Sequence, residues 1–210
     1  MSVSLPSVAQ HQASLLAMQA RRLKHCGFVD LPNLIFMTDS DRVDDPVSTL
    51  RHLPRGTMVV FRDYEAADRE RLAQQVVRAA KARGLKVLIA GDWRLAWRLR
   101  ADGVHLPEHM SGLAGAIKMR RTNWVVTSAA HSATAAQKAA RAGVDAVLLS
   151  PVFPTQSHIG APHLGRLGLL KVQAQTALPI FALGGVNSKT ARRLHGTRLQ
   201  GFAAIEGLMA

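Results

Sequence analysis

"SATAAQKAARAGVDAVLLSPVFPTQSHIG", residues 132–160, contains the unit from which the rest of the chain is built. Ser132 stands where a helix N-cap belongs, because its hydroxyl accepts one of the first unpaired backbone N–H groups of a helix. The alanine-rich run that follows favours helix, and Gly143 supplies the stop. Asp145 then leads into Ala146–Leu149, an unbroken apolar run of the kind found in strands covered on both faces. The strand ends in Ser150, Pro151, Pro154, Thr155, Ser157 and His158, a proline-stiffened loop carrying hydroxyls and a histidine. Prolines that preset such a loop would hold its donors ready for developing charge.

The same alternation extends in both directions. Apolar runs predict strands over 34–39, 58–63, 86–91, 103–106, 124–129, 146–152, 179–185 and 201–207. Between them, capped and helix-periodic segments predict helices over 44–53, 67–84, 92–101, 113–121, 132–143, 165–176 and 188–195. Strands separated by helices require crossover connections and therefore a parallel sheet. The expected fold is α/β, a compact (β/α)8 TIM barrel. An open doubly wound sheet is the alternative, and no GxGxxG follows the first strand to support its dinucleotide-binding form. The sequence stops at Ala210, directly after the eighth strand, so the eighth outer helix is expected to be missing. Residues 1–32 read as an N-terminal helical extension and 33–210 as the barrel. Val8, Leu15, Leu16, Met18 and Leu23 form the extension's apolar positions. That helix, or a partner copy in a homo-oligomer, is expected to cover the bare wall.

Composition narrows the function classes. Of the 210 residues, 48% are hydrophobic, which suits a folded domain with a sizeable core. The single cysteine, Cys26, excludes an intramolecular disulfide and fits a reducing compartment. With no membrane-spanning apolar run and no signal-peptide pattern, a cytoplasmic location is expected. Twenty-seven Lys and Arg against 14 Asp and Glu give a net charge of +13, which attracts anions. The arginines are spread over many segments and interleave little with aromatics, so they read as solvated helix faces rather than a nucleic-acid surface. Phosphorylated small molecules are the expected partners, with no membrane role. No Cys/His spacing fits zinc.

Barrel chemistry gathers where strands end and helices begin. Asp39, Arg62, Asp63, Asp92, Glu108, Ser128, His131, Gly184, Gly185 and Glu206 all fall there. His105, inside the fourth strand, reads as a packed core histidine; Asp92 also reads as a helix cap.

Four segments, "ADGVHLPE" (101–108), "SPVFPTQSHIGAPHLG" (150–165), "PIFALGGVN" (179–187) and "GFAAIEG" (201–207), together resemble the thiamine phosphate synthase family and its thiazole tautomerase relatives. The likeness covers roughly residues 33 to 208. It implies a transferase that joins a hydroxymethylpyrimidine diphosphate to a thiazole phosphate and releases pyrophosphate with Mg2+. On that likeness Arg62 and His158 hold the diphosphate, Asp92 is a magnesium ligand, and Ser128, Thr155 and Ser157 are the catalytic hydroxyls. Gly184 and Gly185 receive the thiazole phosphate, beside Glu206.

Several positions depart from the family pattern. Val60, Tyr64 and Gly91 stand for a glutamine, a lysine and an asparagine, and His158 for a second lysine. The second magnesium carboxylate falls near Met110. Ser128 lies one residue farther from His131 than usual, and Glu206 replaces a serine. Pro151 occupies the place of the tautomerase histidine. These departures keep two other readings open: a barrel that kept the fold and changed its reaction or ligand, and a polyanion-binding module.

Overall fold

The computed structural model describes residues 8–23, 31–43, 45–155, 160 and 162–208. Eight parallel strands close into a barrel in sequence order. They are β1 (Leu34–Met37), β2 (Met58–Phe61), β3 (Lys86–Ala90), β4 (Gly103–Leu106), β5 (Val125–Ala130), β6 (Ala146–Leu149), β7 (Ile180–Ala182) and β8 (Gly201–Ala204). β8 returns to β1 with Leu34 opposite Phe202 and Phe36 opposite Ala204, and this seam makes the sheet a ring rather than an open fan.

The continuous apolar runs follow from two buried faces. Ile35, Met37, Met58, Val60, Leu148 and Phe181 fill the interior, where Ala90, Ala146 and Ala203 make room for the larger groups. Their sequence neighbours, Phe36, Val59, Phe61, Val147 and Phe202 among them, face the outer helices. Alternation along each strand separates the two cores.

The helices are α1 (Val8–Arg21), α2 (Pro46–Thr49), α3 (Arg69–Ala82), α4 (Trp93–Arg98), α5 (Ala114–Arg120), α6 (Ala133–Arg141) and α7 (Gly165–Gln175). Ser132 Oγ accepts the Ala135 N–H at 3.1 Å, and α6 buries Ala135, Ala136 and Ala139. Asp145 binds Lys118 Nζ at 2.8 Å and accepts the β5 Val126 N–H at 2.7 Å. Asp102 repeats the device one layer earlier by accepting the Val87 N–H at 2.7 Å. Each acid preceding a strand thus satisfies a backbone donor on the adjacent one.

Two expected helices are shorter than their patterns. The segment 44–53 becomes α2 followed by a 3-10 turn, Leu50–His52. The segment 188–195 forms only a 3-10 turn, Thr190–Leu194. Asn187 explains part of this: its side chain takes the Lys189 and Thr190 N–H groups into a local turn. After β8 the described chain likewise makes a 3-10 turn, Glu206–Leu208.

α1 packs against those last two turns, and Ser188 Oγ donates to Gln12 Oε1 at 2.7 Å. It therefore covers the side of the barrel next to β8, where the described residues form no outer α-helix. Leu16 and Leu23 are buried as expected, with Ala13, Ala17 and Ala20, whereas Met18 is exposed. No helix among the described residues is long and apolar enough to cross a membrane. Leu16→Ala should lower unfolding stability by about 2–4 kcal/mol in urea titrations, and Met18→Ala by roughly 0.5 kcal/mol or less. Equal losses would contradict this seating of α1.

Candidate functional site

The carboxyl ends of the strands form the mouth, and several of its charges are already paired. Asp39, after β1, is nearly buried and forms an ion pair with Arg62, after β2. Arg42 stands 3.5 Å from the same carboxylate and 3.6 Å from Glu206 Oε1, so it links the β1 and β8 loops. Asp63 accepts the Thr38 hydroxyl, whose oxygen in turn accepts the Arg62 N–H at 3.0 Å. Arg69 donates to the Asp63 and Ala90 carbonyls and lies over the Phe61 and Tyr64 rings. Burial raises the Tyr64 pKa, an effect the Arg69 and Arg62 charges oppose.

The floor of the mouth is His105, buried in β4, with Nδ1 2.9 Å from Thr127 Oγ1. Burial, aided by the positive charge of Arg62, lowers its pKa from 6.5 to about 4. His105 is therefore neutral near pH 7, consistent with a packed core histidine. At the rim, Glu108 Oε2 accepts from the His131 backbone N–H at 2.9 Å and lies 2.7 Å from its Nδ1.

Ser128 belongs to the other side of the wall. It is fully buried within β5, in alternation with Val126 and Ala130 of the helix-facing core, and its hydroxyl bonds the Ala129 carbonyl at 3.1 Å. A catalytic role for Ser128 at the mouth is not supported by this placement. The inward position at this strand end is Ala129, which has no hydroxyl. The one-residue offset between Ser128 and His131 is the sequence signal for this shift.

Asp92 caps α4, accepting the Leu95 N–H at 2.9 Å through Oδ1. Thr155 lies half-buried at the end of the described part of the β6 loop. Ser157 and His158 lie outside the described residues. Among the described residues, no group of three or more His, Cys, Asp or Glu side chains is placed to hold a metal.

Gly184 and Gly185 are fixed by crowding. Val152 N–H donates to the Leu183 carbonyl and Phe153 N–H to that of Gly184, drawing the β6 loop across the end of β7. A Cβ on Gly185 would lie 2.2 Å from the Pro154 carbonyl oxygen, and its φ of +63° already disfavours a side chain. The Gly184 and Gly185 amides donate to no partner among the described residues. Beside them the turn at Glu206 presents the start of a 3-10 segment, and the Glu206 carboxylate is directed to Arg42. The Gly184 and Gly185 amides and the turn at Glu206 thus lie at the ends of the seventh and eighth strands. Sequence reasoning passed over Arg42, although its Asp39-x-x-Arg42 spacing is one at which side chains meet across a turn.

This is a (β/α)8 barrel with arginines at its carboxyl mouth, the end at which enzymes of this fold class place their active sites. The sequence profile described as thiamine monophosphate synthase matches residues 34–208. A protein of Aquifex aeolicus (strain VF5) named "Putative thiamine-phosphate synthase 2" is 33% identical over 182 residues, spanning 84% of this chain and 97% of its own. The thiamine-phosphate synthase of Geobacillus kaustophilus (strain HTA426) is 27% identical over 159 residues, 72% of each chain. The structure of a thiamine phosphate pyrophosphorylase from Pyrococcus furiosus superposes with a TM-score of 0.68 at 21% identity, covering 89% of this chain and 87% of that one. This chain belongs to the thiamine monophosphate synthase family.

Gly185→Ala should cost more than about 2 kcal/mol, because it adds a collision with Pro154 to the strain of a positive φ. Gly56→Ala should cost only about 1 kcal/mol, since that glycine has a φ of +77° but nothing within 4 Å of the added carbon. Similar denaturation midpoints for the two variants would remove the crowding argument.

The neutral His105 has a pH signature. An imidazole of pKa 6.5 unfolded and about 4 folded binds protons preferentially in the unfolded chain between those values. Its contribution is intact above about pH 6.5 and declines by up to ~3 kcal/mol as pH falls towards 4. His105→Asn should flatten that acid limb in urea titrations at a series of pH values; parallel pH curves for parent and variant would contradict it.

Proposed function

We propose that this chain is a thiamine-phosphate-synthase-type transferase that joins a hydroxymethylpyrimidine diphosphate to a thiazole phosphate. In this reaction the bond between the pyrimidine methylene carbon and the diphosphate oxygen breaks, and its electron pair leaves with pyrophosphate. The lone pair of the thiazole nitrogen then forms the new C–N bond, so charge shifts towards the departing oxygens. The observation that carries the reading is Arg62, a cation at the mouth of a barrel of this family. Arg62, with Arg42 beyond the shared Asp39, would attract the departing diphosphate. Thr155, Ser157 and His158 would add donors from the sixth loop. The Gly184 and Gly185 amides would take the thiazole phosphate, while Arg42 holds the Glu206 carboxylate. That pairing matters because an unscreened carboxylate ~4 Å from a phosphate would cost about 4 kcal/mol at an effective dielectric of 20.

Magnesium fits this site in one form. Asp92 keeps one carboxylate oxygen beyond its cap bond, while Glu108 is paired with His131 through Oε2 at the rim. A single carboxylate suits an ion held chiefly by the substrate's diphosphate and water, with Asp92 as the protein ligand. When bound, the ion would neutralise charge gathering on the diphosphate.

A second reading, a barrel that kept the fold and changed its reaction or ligand, is favoured by Ala129 at the inward strand end and by the Asp39–Arg62 pair. Formation of thiamine phosphate from the two purified substrates tests the first reading. Binding of a thiamine intermediate by calorimetry without turnover would favour the second. If the first holds, Arg62→Ala should lower kcat/KM by about 10²–10³-fold. Asp39→Asn should release Arg62 and lower KM for the diphosphate by roughly fivefold, a change of about 1 kcal/mol. An unchanged KM in the Asp39 variant would show that the pair does not compete with substrate.

A further inference from the structure

All three tryptophans of the chain, Trp93, Trp97 and Trp124, converge on the outer wall between α4 and α5, outside the barrel and its mouth. With Leu113 and Ile117 they line a hollow of about 180 Å³. A second hollow, of about 580 Å³, adjoins it; Trp97, Arg121 and Trp124 border both, and Arg98 and Arg100 edge the second. The Arg121 guanidinium carbon lies 3.5 Å from the Trp97 ring centroid and 6.0 Å from that of Trp124. Arg94 stands 4.6 Å over Trp93.

The charge of this wall is unbalanced. Arg98 pairs with Glu70, but Arg94, Arg100, Arg120 and Arg121 have no carboxylate partner among the described residues. Arg121 Nε is buried and lacks a hydrogen-bond partner among them. Trp97 remains 45% exposed. A solvated basic face does not require tryptophan at its surface. A second copy docked face to face would oppose arginine with arginine. Flat aromatic surfaces edged by guanidinium groups, most of them with no carboxylate partner among the described residues, instead complement a chain of flat rings joined by phosphates.

We propose that the α4–α5 wall binds single-stranded nucleic acid. Bases stack on Trp97, Trp124 and the outer plane of the Arg121 guanidinium, and phosphates lie against Arg94, Arg100 and Arg120. The two adjoining hollows suit successive nucleotides. Stacking on ring faces makes the binding tolerant of sequence.

Because every tryptophan lies on this wall, intrinsic fluorescence reports the site directly. Titration with a short oligothymidylate at low salt should give saturable quenching. The affinity should fall with salt at a log–log slope of about −2, as expected for roughly three phosphate contacts to a single strand. Trp97→Ala should weaken binding about tenfold. Arg100→Glu with Arg120→Glu, both at exposed positions, should do the same and guards against a folding defect in the tryptophan variant. Absence of saturable quenching would overturn the proposal. So would polyglutamate binding as tightly as the oligonucleotide, which would mark an acidic-protein or general polyanion surface. Sedimentation showing a dimer whose formation shields Trp97 would overturn it in favour of a self-association face.

Discussion

The barrel depends on closing one seam. β8 pairs with β1, and Phe202 N–H reaches the Asn33 carbonyl at 3.1 Å. A Cβ at position 201 would lie 2.1 Å from that same oxygen, so Gly201 is required by the approach of β1. If a side chain wedged the seam apart, the first and eighth strands would become edges with unpaired backbone groups. The mouth would lose its geometry too, because Asp39 and Arg42 follow one strand of the seam and Glu206 the other.

Around that ring, function rests on charges that balance one another locally. A chain of net +13 nonetheless places Asp39, Asp63, Asp92, Glu108 and Glu206 around its mouth. Arg62, Arg42 and Arg69 are held among them by ion pairs and carbonyl bonds. The positive surplus lies elsewhere, with a concentration on the α4–α5 wall. The mouth is therefore locally balanced although the chain as a whole is strongly basic.

The fold was legible because its signals are local and repeated. Ser132, the alanines of α6 and the apolar run of β6 each specify their own segment, and the same grammar recurs around the ring. What escaped was set by three-dimensional context. Asn187 turned an expected helix into a 3-10 turn through two side-chain bonds. Ser128 has the right chemistry for the mouth, yet strand alternation sends it to the helix side, a one-residue difference that reverses its face. Asp92 was readable as a cap because capping is local, whereas the Arg42 bridge depends on bringing position 206 beside position 42. The tryptophan cluster was hidden for the same reason, since Trp124 joins Trp93 and Trp97 only when the fold brings α4 beside the turn before β5.

The seat of α1 has a mechanical consequence. This helix rests on the turns Thr190–Leu194 and Glu206–Leu208. The first of those turns follows Gly184 and Gly185, and the second begins at Glu206. α1 therefore braces the loops after the seventh and eighth strands as well as covering the wall. Loosening it would transmit disorder to the seventh and eighth loops while the hydrogen-bonded ring stayed closed.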